Sequence, residues 1–221
     1  MSLPPAPVAS DAAPTLAMPG EWQRKALHLL TALIVPLAMV LAGRIASIFT
    51  LGLLAAIAVS ADVLRARWEP FAALVRRLFG SMMRPEEVPD VPGPVVINGA
   101  TWVLVAGFLL AVLVPVETGA LVFAAFLVAD AAAALVGRTW GRHPWRGGRR
   151  TLEGSGAFAV TAAALLVALP AFLPGLDPMV LWKAIVVALA MAWLEAAPWR
   201  INDNVLVPTL GSLLVWHLGA V

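Results

Sequence analysis

Four carboxylates in this chain stand where chemistry is the simplest reason for keeping them: Asp130, Glu153, Glu195 and Asp203. Each lies inside or beside a strongly apolar run, where an ionised acid is costly and marks a functional site by default. Asp130 is followed by four alanines and then by Leu135-Val136-Gly137-Arg138-Thr139-Trp140-Gly141-Arg142. A second group, Arg149-Arg150-Thr151-Leu152-Glu153-Gly154-Ser155, opens the next apolar run. Arginine grips phosphate through a bidentate fork, and glycine lets backbone approach a ligand closely. Arg138, Arg142, Arg150, Gly137 and Gly141 are therefore phosphate candidates, and Gly147 and Gly148 would let the loop fold over a ligand. The bland alternative for the arginines is a solvated, lipid-facing loop; the acids on both sides of the cluster weigh against it. The four acids are hard oxygen donors, the kind that hold nucleotide-bound magnesium together with phosphate oxygens and water. Asn202-Asp203-Asn204 adds amides able to hold a ribose, a base or a metal, although one of the three could simply cap a helix. No glycine-rich stretch ending in Gly-Lys-Ser/Thr occurs, which excludes a P-loop.

The elements that must position these groups are membrane helices. The chain has 221 residues, of which 61% are hydrophobic and 13% charged, with a mean hydropathy of +0.90. A soluble domain carries about 25% charged residues, so the bilayer is this protein's solvent. There is no cysteine, which rules out disulfides and thiolate metal sites. Residues 1–20 are rich in Pro, Ala and Ser, lack the build of a signal peptide and are expected to form a disordered tail. Residues 21–221 are expected to form one transmembrane catalytic domain, an all-α bundle of about seven spans. The spans run over about Glu21–Ala42, Ile45–Ala61, Val95–Val116, Ala120–Val136, Gly154–Leu173, Val180–Ala197 and Val205 to the C-terminus, with Gly43-Arg44 as a tight connection. Between the second and third, Leu64, Trp68, Phe71, Leu74, Val75 and Leu78 recur at helical spacing among Arg65, Arg67, Arg76 and Arg77. That pattern predicts a basic amphipathic helix in the interface plane.

Seven spans with the N-terminus inside put thirteen of the fifteen basic residues on one side. They are Arg24 and Lys25; Arg65, Arg67, Arg76, Arg77 and Arg84; Arg138, Arg142, Arg146, Arg149 and Arg150; and Arg200. Arg44 and Lys183 alone fall on the other. The positive-inside rule makes the richer side cytoplasmic. His28, Asn98, Asp130, Glu153, Glu195 and Asn202-Asp203-Asn204 come from different spans, yet all lie at that same face. Transporters more often place such groups near the midplane. A one-sided site suits an enzyme that joins a water-soluble reagent to a lipid.

Asp130-Ala-Ala-Ala-Ala-Leu-Val-Gly137-Arg138, Gly141-Arg142 and Arg150-Thr151-Leu152-Glu153-Gly154-Ser155 together resemble the polyprenol kinase family. That family includes dolichol kinase, phytol kinase and a CTP-dependent diacylglycerol kinase, and it is similar to the phosphatidate cytidylyltransferases. Arg24-Lys25-Ala26-Leu27-His28 looks like its N-terminal motif. Arg84-Pro85-Glu86 and Gly99-Ala100-Thr101-Trp102 look like its middle motif, and Glu195 with Asp203-Asn204 looks like its last. The resemblance covers residues 21 to about 210, in the family's order. Arg150 is a departure, because the family often has lysine before Thr151. The resemblance implies transfer of the γ-phosphoryl group of a nucleoside triphosphate, CTP first, to a lipid or isoprenoid alcohol, with Mg2+ as cofactor. Asp130 and Asp203 are then expected to hold magnesium, with Glu195 as a third candidate. Arg138, Arg142, Arg150 and Thr151 would cradle the phosphates, with Asn202 and Asn204 nearby. Glu153 would orient Arg150 or the metal. Arg24, Lys25, His28 and Asn98 would face the lipid head. The expected partners are the nucleotide, the lipid alcohol and the bilayer, with no nucleic acid; an oligomer is compatible with the sequence. The expected location is the inner, cytoplasmic membrane, with the site facing the cytoplasm. Two other readings are a CTP-dependent phosphatidate cytidylyltransferase and a non-catalytic transporter or adaptor.

Overall fold

The computed structural model describes residues 19–81, 83, 88, 90–145, 150–173 and 175–219, with the backbone alone at 19–29 and 32. The expected N-terminal tail up to residue 18, Arg84-Pro85-Glu86, Arg146, Gly147, Gly148 and Arg149 lie outside the described residues. Among the described residues the regular structure is helical: α1 (Pro19–Arg67), α2 (Glu69–Phe79), α3 (Gly99–Leu113), α4 (Val116–Trp140), α5 (Leu152–Ala168), α6 (Leu181–Ala196) and α7 (Asp203–His217). A 3₁₀ turn, Leu169–Ala171, extends α5.

The expected connection at Gly43 is real. Gly43 takes φ 76° and ψ 174°, a region that only glycine occupies without strain. The Ser47 hydroxyl lies 2.7 Å from the Gly43 carbonyl and 3.2 Å from that of Met39. In a straight helix, residues eight apart are separated by roughly 12 Å along the axis. A Cβ placed on Gly107 would lie 3.3 Å from Leu51 and 3.7 Å from Val35, two residues symmetric about Gly43. The two arms of α1 are therefore folded back on each other, with α3 against both.

α4 is the central helix. It packs against α1, α3, α5 and α7, and Leu121, Val122, Phe123, Phe126 and Leu127 on it are fully buried. The outward faces are apolar instead of polar. On α6, Trp182, Ile185, Val186, Leu189 and Trp193 form an exposed stripe at helical spacing, and Leu33, Leu41, Ile45, Phe49 and Leu53 do the same on α1. Exposed apolar surface on this scale belongs in lipid. Among the described residues three segments are long and apolar enough to cross a membrane: Leu33–Arg67, Val116–Trp140 and Leu152–Ala171. The helices α3, α6 and α7 have 15, 16 and 15 residues. That is roughly 22–24 Å at 1.5 Å per residue, short of a hydrocarbon core of about 30 Å. Among the described residues seven apolar arms are present, counting both arms of α1, and three segments meet the length and hydropathy for crossing, of which Leu33–Arg67 runs through the Gly43 turn.

Two boundaries differ from expectation for local reasons. The basic amphipathic helix begins at Glu69, not near Leu64, because Trp68 is extended and Pro70 occupies the first helical turn. Arg65 belongs to the end of α1 and is turned inward. α4 continues to Trp140, so Gly137 and Arg138 lie on a helix and not in a loop.

Candidate active site

Gly137 lies against Thr151 and Lys183 against Leu218, so α4 and α5, and α6 and α7, are antiparallel pairs, and the ends of α4 and α6 meet the starts of α5 and α7. Arg150, on the segment leading into α5, stands at that meeting point. Its Nη2 donates to Asp203 Oδ2 at 2.6 Å. Its Nη1 contacts Glu195 Oε1 and lies 3.6 Å from Asp130 Oδ1. One guanidinium thus joins carboxylates from α4, α6 and α7, spread over 74 residues of sequence from Asp130 to Asp203. The three acids are not equally exposed. The Glu195 side chain is 1% exposed, against 27% for Asp130 and 38% for Asp203. A carboxylate buried as deeply as Glu195 must be met by a cation, and Arg150 meets it.

Arg150 is held from behind by a short pair of extended segments. Pro144 and Thr151 form an antiparallel bridge. Trp145 N donates to Arg150 O at 2.9 Å, and Leu152 N donates to His143 O at 2.8 Å. Two side-chain contacts fasten this bridge to the first turn of α5. Trp145 Nε1 donates to Ser155 Oγ at 3.0 Å, and His143 Nδ1 lies 2.6 Å from Glu153 Oε1. Glu153 was expected to orient Arg150 or the metal. The structure pairs it with His143, so it reaches Arg150 only through the bridge that both residues brace.

Glycines and capping residues near Arg150 have structural work that the sequence pattern did not separate from binding. A Cβ on Gly137 would lie 3.1 Å from Thr151 Oγ1, and one on Gly141 would lie 2.7 Å from Thr151 Cγ2. A Cβ on Gly154 would lie 3.0 Å from the Ala133 carbonyl. Gly137 and Gly141 therefore face the start of α5 and permit its close approach to α4. Thr151 is the N-cap of α5 and accepts from Gly154 N at 3.1 Å. Asn202 is the N-cap of α7 and accepts from Asn204 N at 3.0 Å; Asp203 Oδ1 accepts from the same N–H. Asn204 stands in the first turn of α7 beside Asp203. Arg138 and Arg142 are exposed at the same end of the bundle.

Asn98 is drawn into a second, buried polar group that the sequence did not reveal. Asp62 is 1% and Arg65 4% exposed. Asp62 Oδ1 accepts from Arg65 Nε and from Asn98 Nδ2, both at 2.8 Å. Its Oδ2 accepts from Thr101 Oγ1 at 2.7 Å and from Asn98 N at 3.1 Å. Arg65 Nη2 donates to Val96 O at 2.7 Å. Asn98 also caps α3 through Thr101 N. The expectation that Asn98 faces the lipid head is corrected here: its carboxamide is spent on the cap and on Asp62, tying the end of α1 to the start of α3. The only hint in the sequence was an aspartate three residues before an arginine at the end of an apolar run. The backbone of Arg24, Lys25 and His28 lies in the first arm of α1, and their side chains lie outside the described residues.

The opposite end of the bundle is plain by comparison. Arg44 donates to the carbonyls of Ala111 and Val112 at the C-terminus of α3. Lys183 donates to those of Leu218 and Gly219 just past α7. Both cations satisfy helix-end carbonyls. Of the fifteen basic residues, these are the two that charge counting placed on the far side.

Over 90 residues the chain is 37% identical to a phytol kinase from Synechocystis sp.; the aligned stretch covers 39% of this chain and 38% of that relative. No family model matches the chain, and no solved structure matches it. Similarity of this extent supports a polyprenol- or phytol-kinase type of family at most.

Proposed function

We propose that this protein is a membrane kinase that transfers the γ-phosphoryl group of a nucleoside triphosphate, CTP in the first instance, to a lipid or isoprenoid alcohol. The observation that carries the reading is the convergence of Asp130, Glu195 and Asp203 on Arg150 at one end of an apolar bundle. Similarity to a phytol kinase supplies the reaction class. Phosphoryl transfer asks mainly for positioning and charge neutralisation, and acids from three helices with an arginine between them provide both. The oxygen of the alcohol forms a bond to the γ-phosphorus as the bond to the β-phosphate oxygen breaks. The alcohol loses its proton, and a nucleoside diphosphate leaves.

Among the described residues no three His, Asp or Glu side chains form a ready-made metal cluster, and Arg150 lies between the acids. The donor set still fits magnesium: it is all carboxylate oxygen, and the Glu195 side chain is 1% exposed, with Arg150 as its cation. Asp130 and Asp203, with Glu195, are the residues that would hold the ion. Magnesium would neutralise charge on the phosphates. Arg150, and the exposed Arg138 and Arg142 at the same end of the bundle, would bind phosphate oxygens, while the apolar outer faces of the helices keep the alcohol's tail in lipid. The charge asymmetry supports a site on the cytoplasmic side of the inner membrane.

Purified protein in detergent, given magnesium, CTP and phytol, should release CDP in step with formation of phytyl phosphate. The release should stop when phytol is left out or magnesium is chelated, and ATP and GTP run in parallel would rank the donors. Alcohol-independent release of diphosphate would point to a nucleotidase instead.

A further inference from the structure

Arg150 has two claims on it. As a phosphate ligand it should reach for a nucleotide; in the structure it is bound instead to Asp203, Glu195 and Asp130. Its side chain is one-third exposed, and it enters from the segment before α5, not from the helices that carry the acids. Glu195 is 1% exposed, and Arg150 is the cation in contact with its Oε1. The guanidinium therefore occupies a position among hard oxygens that suits a compact cation better than a planar fork.

We propose that Arg150 is an internal stand-in for the divalent cation: it fills the carboxylate site when nucleotide is absent and is exchanged for the metal when the metal–nucleotide complex binds. This rests on the proposed reading of the acids as a metal site. The exchange follows from charge. A buried carboxylate left without a cation is strongly unfavourable, so the acids need an occupant before the metal arrives. A divalent ion brings twice the charge of a guanidinium and accepts direct coordination by carboxylate oxygens. The released guanidinium is then free for the phosphates that arrive with the ion, which it binds bidentately. The backbone bridge from Trp145 to Arg150 keeps the base of the side chain fixed, so the swap needs only side-chain rotation. Metal without nucleotide must displace Arg150 with no new partner for it, so binding is weak; metal with nucleotide gives Arg150 a new partner, so binding is tight.

The test is metal affinity, read without catalysis. Manganese binding to the full-length protein in detergent is followed by the loss of free-ion electron paramagnetic resonance signal, for the parent chain, Arg150→Gln, Arg150→Lys and Arg150→Gln/Asp203→Asn. Without nucleotide, Arg150→Gln should bind manganese at least about tenfold more tightly than the parent, since one charged hydrogen bond is worth roughly that factor. Arg150→Lys keeps the competing charge and should stay near the parent. The manganese-free Arg150→Gln protein should melt at a lower temperature than the parent and recover on adding manganese. Asp203→Asn in that background should abolish the gain. If Arg150→Gln binds manganese no more tightly than the parent, while Asp203→Asn still weakens binding, the exchange is wrong and the metal site stands. If Asp203→Asn leaves manganese binding unchanged, the metal site itself is wrong and the exchange falls with it. Failure of Arg150→Gln to fold would leave Arg150→Lys as the measure: tighter binding than the parent there would contradict competition by charge.

Discussion

Asp130 and Asp203 are 73 positions apart in sequence and reach the same guanidinium, which makes them members of one unit. Asp130→Asn and Asp203→Asn should each lower lipid phosphorylation by roughly a hundredfold or more, the scale on which a single charge-stabilising group counts in catalysis. The double variant should lose no more than the worse single, because groups acting together are not additive. Independent, multiplying losses in a radiolabel transfer assay would assign the two acids to separate steps. These acids were legible beforehand because a carboxylate in an apolar run has few innocent explanations. Arg150 stood out as a phosphate candidate, but not as the residue the acids share, since nothing in spacing reports which helices meet. Gly137, Gly141, Thr151 and Asn202 are harder to read for the opposite reason. Small residues and caps near a site have the same composition whether they touch a ligand or a neighbouring helix. The Asp62–Arg65 group was missed because an acid at the end of a span reads as a terminator, and its partners Asn98 and Thr101 lie 36 and 39 residues away.

At the scale of elements, the fold depends on two places where the chain is forced to change direction. The α1 hairpin turns on Gly43, whose backbone conformation excludes a Cβ without strain. Gly43→Ala should therefore destabilise the protein by about 1–3 kcal/mol, although no atom crowds the site. Thermal unfolding in detergent measures this; an unchanged midpoint would show that the turn tolerates another conformation. This turn was readable in the sequence because a Gly-Arg pair interrupted an apolar run too long for one span. The break between α1 and α2 was read four or five residues early, because the helical spacing of apolar residues runs straight through Trp68 and only Pro70 marks the restart. The bridge at Pro144–Thr151 carried no periodic signal at all. It is set by backbone pairing and by the Trp145–Ser155 and His143–Glu153 contacts, which bring together residues ten apart.

At the scale of the whole molecule, the two ends of the bundle differ in kind. One gathers buried and half-buried acids with their arginines, and the other has Arg44 and Lys183 closing off helix carbonyls. The account places the acidic end in the cytoplasm. In this cysteine-free chain, Trp140→Cys puts a thiol at an exposed position on that end. An impermeant thiol reagent should label it only after the inner face is opened; labelling in intact cells would reverse the orientation. The measurement that bears most directly on the function follows the two ends of one nucleotide. CTP labelled with ³²P at either the γ or the α position is given to purified protein with magnesium, prenyl alcohols, diacylglycerol and phosphatidate. A kinase moves the γ-phosphoryl group to an alcohol and leaves a nucleoside diphosphate, whereas a cytidylyltransferase moves the α-phosphoryl group with its nucleoside to phosphatidate and leaves pyrophosphate. The account predicts γ-label in the lipid phase, no α-label there, and loss of transfer on chelation of magnesium. Label entering lipid from the α position alone, or from neither position with ATP and GTP also tried, would contradict it.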